Sequence, residues 1–235
     1  MRSWVEFWDA DHAIYVNARH KAAHARNICA DIVRLLPSQR PNLLDFGCGE
    51  AIYAEALAPH CETLVLCEAA DRVRASLKAR VTDHETIDVV SSEELQATGA
   101  ERKFDLIVVN SVVQYLNRGQ LDALLVQWRE LLAKDGRLVI ADVVPPDLGK
   151  LTDALALLKF AAREGFVFGA VRGLVQTAFS NYGALRTELG FSTHSEKEFI
   201  SILTAHGFQA RRLRPNIGHN QGRMAFEAAN QNPSD

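Results

Sequence analysis

The chain of 235 residues is 48% hydrophobic and 23% charged, with a formal net charge of −3. That balance suits one large globular domain with a substantial core, and it supplies no basic field of the kind nucleic-acid binding needs. No apolar run approaches the roughly 18 residues of a membrane span, the opening MRSWVEFWDAD has no apolar leader core, and Cys29, Cys48, Cys61 and Cys67 form neither a CxxC nor a metal-ligand spacing. A cytoplasmic protein with reduced thiols and no metal is therefore expected.

In chain order, residues 18 to 36 read as a helix whose ridge His20, His24, Ile28, Ile32, Leu36 repeats every fourth position, and Pro37 to Pro41 ends it. Strands and helical stretches then alternate. The predicted strands are Leu43–Gly47, Thr63–Glu68, Thr86–Ser91, Phe104–Ser111 and Arg137–Val144, with helical patterns at 51–59, 71–80 and 119–133. Near-continuous apolar strands of this kind belong in a parallel sheet covered on both faces, and βαβ alternation predicts a doubly wound α/β fold. After Pro145-Pro146 no strand is predicted up to residue 190. A capping box, Ser195-x-x-Glu198, opens a helix that Gly207 closes. Phe208–Leu213 and Met224–Ala228 read as two final strands joined by the polar loop Pro215–Gly222. The expected organisation is a single domain over 1–235, with a helical cap (1–40), an α/β core (41–146 and 195–229) and a helical lid inserted after the fifth strand (147–194).

The stretch Leu43-Leu-Asp-Phe-Gly-Cys-Gly-Glu-Ala-Ile-Tyr53 places two glycines directly after the first strand. In such sheets ligands bind beyond the carboxyl ends of the strands, near the point where strand order reverses. Glu68 ends the second strand, where a carboxylate can accept both hydroxyls of a ribose. A dinucleotide site wants G-x-G-x-x-G. Counted from Gly47, the last glycine is Ile52, so that fingerprint fails. Asp45, two residues before the first glycine, would repel a phosphate and suits the cationic end of a ligand.

Asp45-Phe-Gly-Cys-Gly49 resembles motif I of the class I S-adenosylmethionine-dependent methyltransferases, and Glu68 is similar to the acidic residue that holds the ribose in that family. Val89-Val-Ser-Ser-Glu-Glu-Leu95 resembles the segment around the adenine, Phe104 to Leu116 the fourth-strand motif, and Leu131 to Val139 the approach to strand five. The resemblance implies a seven-stranded, mostly parallel, Rossmann-like sheet and S-adenosylmethionine as methyl donor, with S-adenosylhomocysteine as product. It implies cofactor contacts from Asp45, Gly47, Cys48, Gly49, Glu68, Ala69, Ser91, Ser92, Glu93, Asn110, Ser111 and Val112. Two positions depart from the pattern: Ala51 replaces a frequent glycine, with little loss expected, and Ser91 replaces a frequent aspartate.

For the acceptor, the N-terminal region, the insertion and the loop 215–222 are expected to close over the carboxyl ends of the strands. His219, His20, Tyr15 and Tyr115 are the candidate proton acceptors, in that order. His12, His60, His84, His194 and His206 read as surface or boundary residues. The apolar stretch Phe166–Val175 suits lid packing and a substrate pocket, with a homodimer interface as another use. The expected activity is O- or N-methylation of a small, partly apolar molecule. The alternative is a cofactor-binding regulatory protein of the same fold without catalysis.

Overall fold

The structure is a computed structural model and describes residues 4–9, 17–97, 102–171 and 191–231. Seven strands form one sheet in the order β3-β2-β1-β4-β5-β7-β6. They are β1 (Asn42–Phe46), β2 (Thr63–Cys67), β3 (Ile87–Val90), β4 (Phe104–Asn110), β5 (Leu132–Val143), β6 (Phe208–Leu213) and β7 (Met224–Asn230). Pairs among β1 to β5 are parallel, while β7 runs antiparallel to both β5 and β6. Strand order reverses between β1 and β4, so their carboxyl ends flank the crevice where a ligand binds in such folds. β6 is parallel to β5, and the loop after it therefore opens on the same edge.

The helices are α1 (Trp4–Asp9), α2 (Ala18–Val33), α3 (Ala54–Leu57), α4 (Asp71–Arg80), α5 (Ser92–Ala97), α6 (Arg118–Leu131), α7 (Lys150–Glu164) and α8 (Glu196–Ala205). One face of the sheet packs Trp128 and Leu125 of α6 and Phe199 of α8 against Phe46, Ile140 and Phe226. The other packs Ile28 and Ile32 of α2, Leu57 and Leu77 against Leu43, Leu64 and Leu106. A smaller third cluster joins Ala23 of α2 to Phe160, Ala161, Phe166 and Ala170, seating the insertion on α2. Among the described residues no helix is long and apolar enough to cross a membrane.

Both ends of α8 form as the sequence predicts. The Ser195 hydroxyl accepts from the Glu198 N–H, the Glu198 carboxylate returns the bond, and Gly207 follows at φ +79°. β5 starts five residues earlier than its apolar run. Leu132 pairs with Phe104 across a bulge, and Gly136 lies so close that an added Cβ would sit 2.6 Å from the Phe104 carbonyl oxygen. The strand expected from the sequence begins only at Arg137 because the contact that holds Gly136 is to a distant strand.

Candidate active site

The glycine turn after β1 is pinned to the end of β2, whose Cys67 carbonyl accepts from the N–H groups of both Gly47 (2.8 Å) and Cys48 (3.2 Å). Gly47 has φ +70°, and a Cβ there would lie 2.4 Å from Cγ2 of Val112. Backbone conformation and space both exclude a side chain. Gly49 has φ +58°, and a Cβ there would meet nothing within 4 Å, so the turn opens outward at this point. Ala51 adopts φ +36°. A left-handed backbone costs an L-residue about 1–2 kcal/mol, so the third position of the turn keeps a glycine-like conformation without a glycine.

Glu68 stands across this turn. One carboxylate oxygen accepts from the Gly49 N–H and the other from the Ala70 N–H, each at 2.8 Å. Arg74 braces the same loop by donating to the carbonyls of Glu68 (2.9 Å) and Ala69 (3.2 Å). Each Glu68 oxygen keeps a second acceptor direction for a ligand hydroxyl. Asp45 is 1% exposed and accepts the Tyr53 hydroxyl at 2.7 Å. Burial raises its carboxyl to about 6, the Tyr53 bond opposes this, and Glu68 adds to it. Asp45 thus lacks a cationic neighbour of its own among these influences, and an ammonium group would favour its charged form.

Asn110, at the end of β4, has a buried side-chain oxygen with no hydrogen-bond partner among the described residues. Such an orphan acceptor fits a ligand donor. Ser91 caps α5: its Oγ accepts from the Glu94 N–H and its own N–H donates to the Glu94 carboxylate. Its hydroxyl also holds the Glu93 carboxyl below its usual range. Capping therefore accounts for Ser91 without a ligand, and Ser92 lies 4.0 Å from the Cys67 sulfur. The Cys48 thiol is pushed far above its ordinary range by burial and by Asp45 and Glu68. It is small filler between the glycines, with no thiolate to offer.

Further along the edge, a second polar set spans β4, β5, α7 and the β6–β7 loop. Ser111 and Asp142 both take left-handed backbone conformations, φ +60° and +63°, and the Ser111 hydroxyl donates to the Asp142 carboxylate at 2.7 Å. Arg223 donates to that carboxylate at 2.6 Å and to Asp153 of α7 at 3.3 Å. Asn220 donates to Asp153 at 2.7 Å, and Asn216 accepts the Asp142 N–H at 3.0 Å. Burial raises the Asp142 carboxyl, against the pull of Arg223 and Ser111.

His219, carried by this loop, stacks on Phe160 of α7 at 4.8 Å and 15° and meets His24 edge-on at 6.1 Å. His20 stacks on Phe166 at 4.8 Å. Burial first, and the neighbouring imidazoles second, hold His20, His24 and His219 down to about 4. All three are neutral near pH 7, and burial makes each a weaker base than a free imidazole. Rings of α2, α7 and the loop thus meet here, with His20 packed against Phe166.

Tyr115 lies apart from these imidazole contacts, among Trp4, Trp8 and Phe191 at 4.6, 5.7 and 5.5 Å. Tyr15, His12 and residues 172–175 of the apolar stretch lie outside the described residues. Phe166 is buried, whereas Phe168 is 95% exposed. His194, read as a surface or boundary residue, is buried against Phe199. Sequence reasoning missed Asp142, Asp153, Arg223, Asn216 and Asn220, and it also missed Gln114, whose buried side-chain oxygen has no partner among the described residues. The one available signal was the polar richness of 215–223. Among the described residues no group of three or more His, Cys, Asp or Glu could hold a metal ion.

Comparison with known proteins bears on this edge. Nodulation protein S of Sinorhizobium fredii (strain NBRC 101917 / NGR234) is 30% identical over 111 residues, which is 46% of this chain and 47% of the relative. The chain thus matches about half the length of that curated relative. The N-methyltransferase NodS of Bradyrhizobium japonicum WM9, solved with S-adenosyl-L-homocysteine, superposes with a TM-score of 0.56 at 19% identity, over 98% of this chain and 97% of that one. Magnesium protoporphyrin IX methyltransferase of Synechocystis PCC 6803 with bound SAH gives 0.57 at 15% identity, over 96% and 92%. At these identities the likeness is one of fold. A family model described as a methyltransferase domain matches residues 18–213, most of the chain, and the chain belongs to that family.

Proposed function

We propose that the protein transfers a methyl group from S-adenosylmethionine to a small-molecule acceptor, at oxygen or nitrogen. The observation that carries this is the Glu68 carboxylate bonded to the N–H groups of Gly49 and Ala70, facing a turn that is open beyond Gly49. Glu68 would take the ribose hydroxyls. Asp45 and the orphan oxygen of Asn110 would take the amino end, Gly47, Cys48 and Gly49 would present backbone, and Ala69 and Val112 would line the rest. The adenine would lie by Ser91, Ser92 and Glu93, with Ser91 contributing position more than a bond.

When bound, the cofactor supplies a methyl already activated on a sulfonium. The chain holds the acceptor in line with it and keeps water out, which provides most of the rate. His219 is the leading proton acceptor because it is neutral, on the carboxyl edge and fixed by Phe160. The packed ring of His20 ranks below it. A base held near 4 belongs at the low end of the roughly 10²–10⁴-fold that general bases contribute.

Calorimetric titration with S-adenosylmethionine and with NAD tests the donor, and binding of NAD alone would overturn the proposal. A panel of amines, phenols and carboxylic acids, scored by S-adenosylhomocysteine release, tests the acceptor. Tight cofactor binding with no release above background across the panel would favour the regulatory alternative.

A further inference from the structure

We propose that Arg223 is a positioning residue of the acceptor side, clamping α7 and the β6–β7 loop to the carboxyl edge of the sheet through Asp142 and Asp153. This rests on the reading of the His219 face as the acceptor side. The Arg223 side chain is 14% exposed, and its two carboxylate partners are 14% and 19% exposed. One cation therefore bridges two largely buried carboxylates that belong to different elements, one at the end of β5 and one on α7.

Each carboxylate is tied further. Asp142 receives the Ser111 hydroxyl, which connects the clamp to the end of β4. Asp153 receives Asn220 from the loop. The loop is cross-linked by its own hydrogen bonds: Gln221 accepts from the Asn216 N–H and donates to the carbonyls of Asn216 and Gly218. The Gly218 N–H donates to Asp31 of α2 at 2.6 Å. His219 is therefore held on a cross-linked loop, and its stacking partner Phe160 is held on α7. Arg223 joins the two supports. Without it, Asp142 and Asp153 would face each other as like charges in a poorly hydrated site, which pushes α7 away from the sheet.

The test uses the full chain and Arg223→Met, Arg223→Lys and Asp153→Asn. Backbone hydrogen exchange over Lys150–Glu164 reads the clamp, and the titration of the His219 ring by proton NMR reads the electrostatics. The charged and titratable groups facing His219 are His20 and His24 from α2, Asp153 from α7, and Arg223. In Arg223→Met we expect exchange of α7 to rise about tenfold while β4 and β5 keep their protection. The His219 ring should titrate about one pH unit higher, because Asp153 is no longer offset. Arg223→Lys keeps the charge and should restore most of both. Should Arg223→Met fail to fold, Asp153→Asn carries the test: α7 should loosen, with no upward move of His219. Unchanged exchange of α7 in these variants, or an equal rise through β4 and β5, would overturn the proposal. Neither readout needs an acceptor, so the clamp can fail while the acceptor assignment stands, and the reverse.

Discussion

The two halves of the carboxyl edge are built in different ways. The half proposed for the cofactor rests on backbone groups and close sequence neighbours: Gly49 and Glu68 are 19 residues apart, Asp45 and Tyr53 only 8. The half proposed for the acceptor rests on side chains brought together over long separations, 81 residues from Arg223 to Asp142 and 70 to Asp153. A motif can specify the first, since a glycine turn and a strand-end carboxylate keep their spacing. The second exists only after folding.

The comparison breaks most visibly at Gly47. Gly47→Val must adopt φ +70° and place carbon where Val112 already lies. Strain of about 1–2 kcal/mol adds to overpacking of about 1–3 kcal/mol. We expect urea unfolding to show a loss of about 2–5 kcal/mol, with binding of S-adenosylhomocysteine abolished. A stable variant that still binds would show that the turn does not need its glycine.

Asp45 gives a smaller effect of opposite sign on stability. Its carboxyl is raised from 3.8 to about 6 in the fold, so the folded state prefers the protonated form. Stability is then greatest below pH 4 as far as this group is concerned, and it falls as pH rises through 6. Asp45→Asn should be more stable than the parent by about 3 kcal/mol at pH 7.5 and nearly equal to it at pH 4, yet bind cofactor more weakly. Equal stability at both pH values would remove the buried charge from the account.

The imidazole cluster acts in the opposite pH direction. With folded values near 4 against an ordinary 6.5, the neutral rings stabilise the fold fully above pH 6.5, and that contribution is lost as pH falls toward 4. The melting temperature should drop between pH 7.5 and 5, and His24→Gln should reduce the drop. An identical drop in the variant would mean that other groups set it.

How much was legible in the sequence follows the same division. Strand and helix positions agree closely because apolar runs and capping signals are local, as at Ser195-x-x-Glu198. The placement of the loop 215–222 on the carboxyl edge was expected, and β6 runs parallel to β5 as that placement requires. The early start of β5 was not expected, because Gly136 answers to the Phe104 carbonyl. Ser91 looked like an adenine ligand and acts as a helix cap, two roles that one hydroxyl at a strand end can equally serve. Asp142 was hidden inside an ordinary strand sequence, Ile140-Ala-Asp-Val143. Its left-handed backbone and its bond to Arg223 have no local signature. His219 could be placed on the edge from topology, whereas its stack on Phe160 could not.

The two halves are separable, and one paired measurement tests this: the calorimetric affinity for S-adenosylhomocysteine in Glu68→Gln and His219→Ala, alongside turnover with an acceptor from the panel. Loss of charge-assisted bonds at Glu68 should weaken binding about tenfold or more. His219→Ala should leave affinity within about threefold while turnover falls about a hundredfold. Cofactor binding weakened as much by His219→Ala as by Glu68→Gln, or turnover unchanged in His219→Ala, would contradict the account.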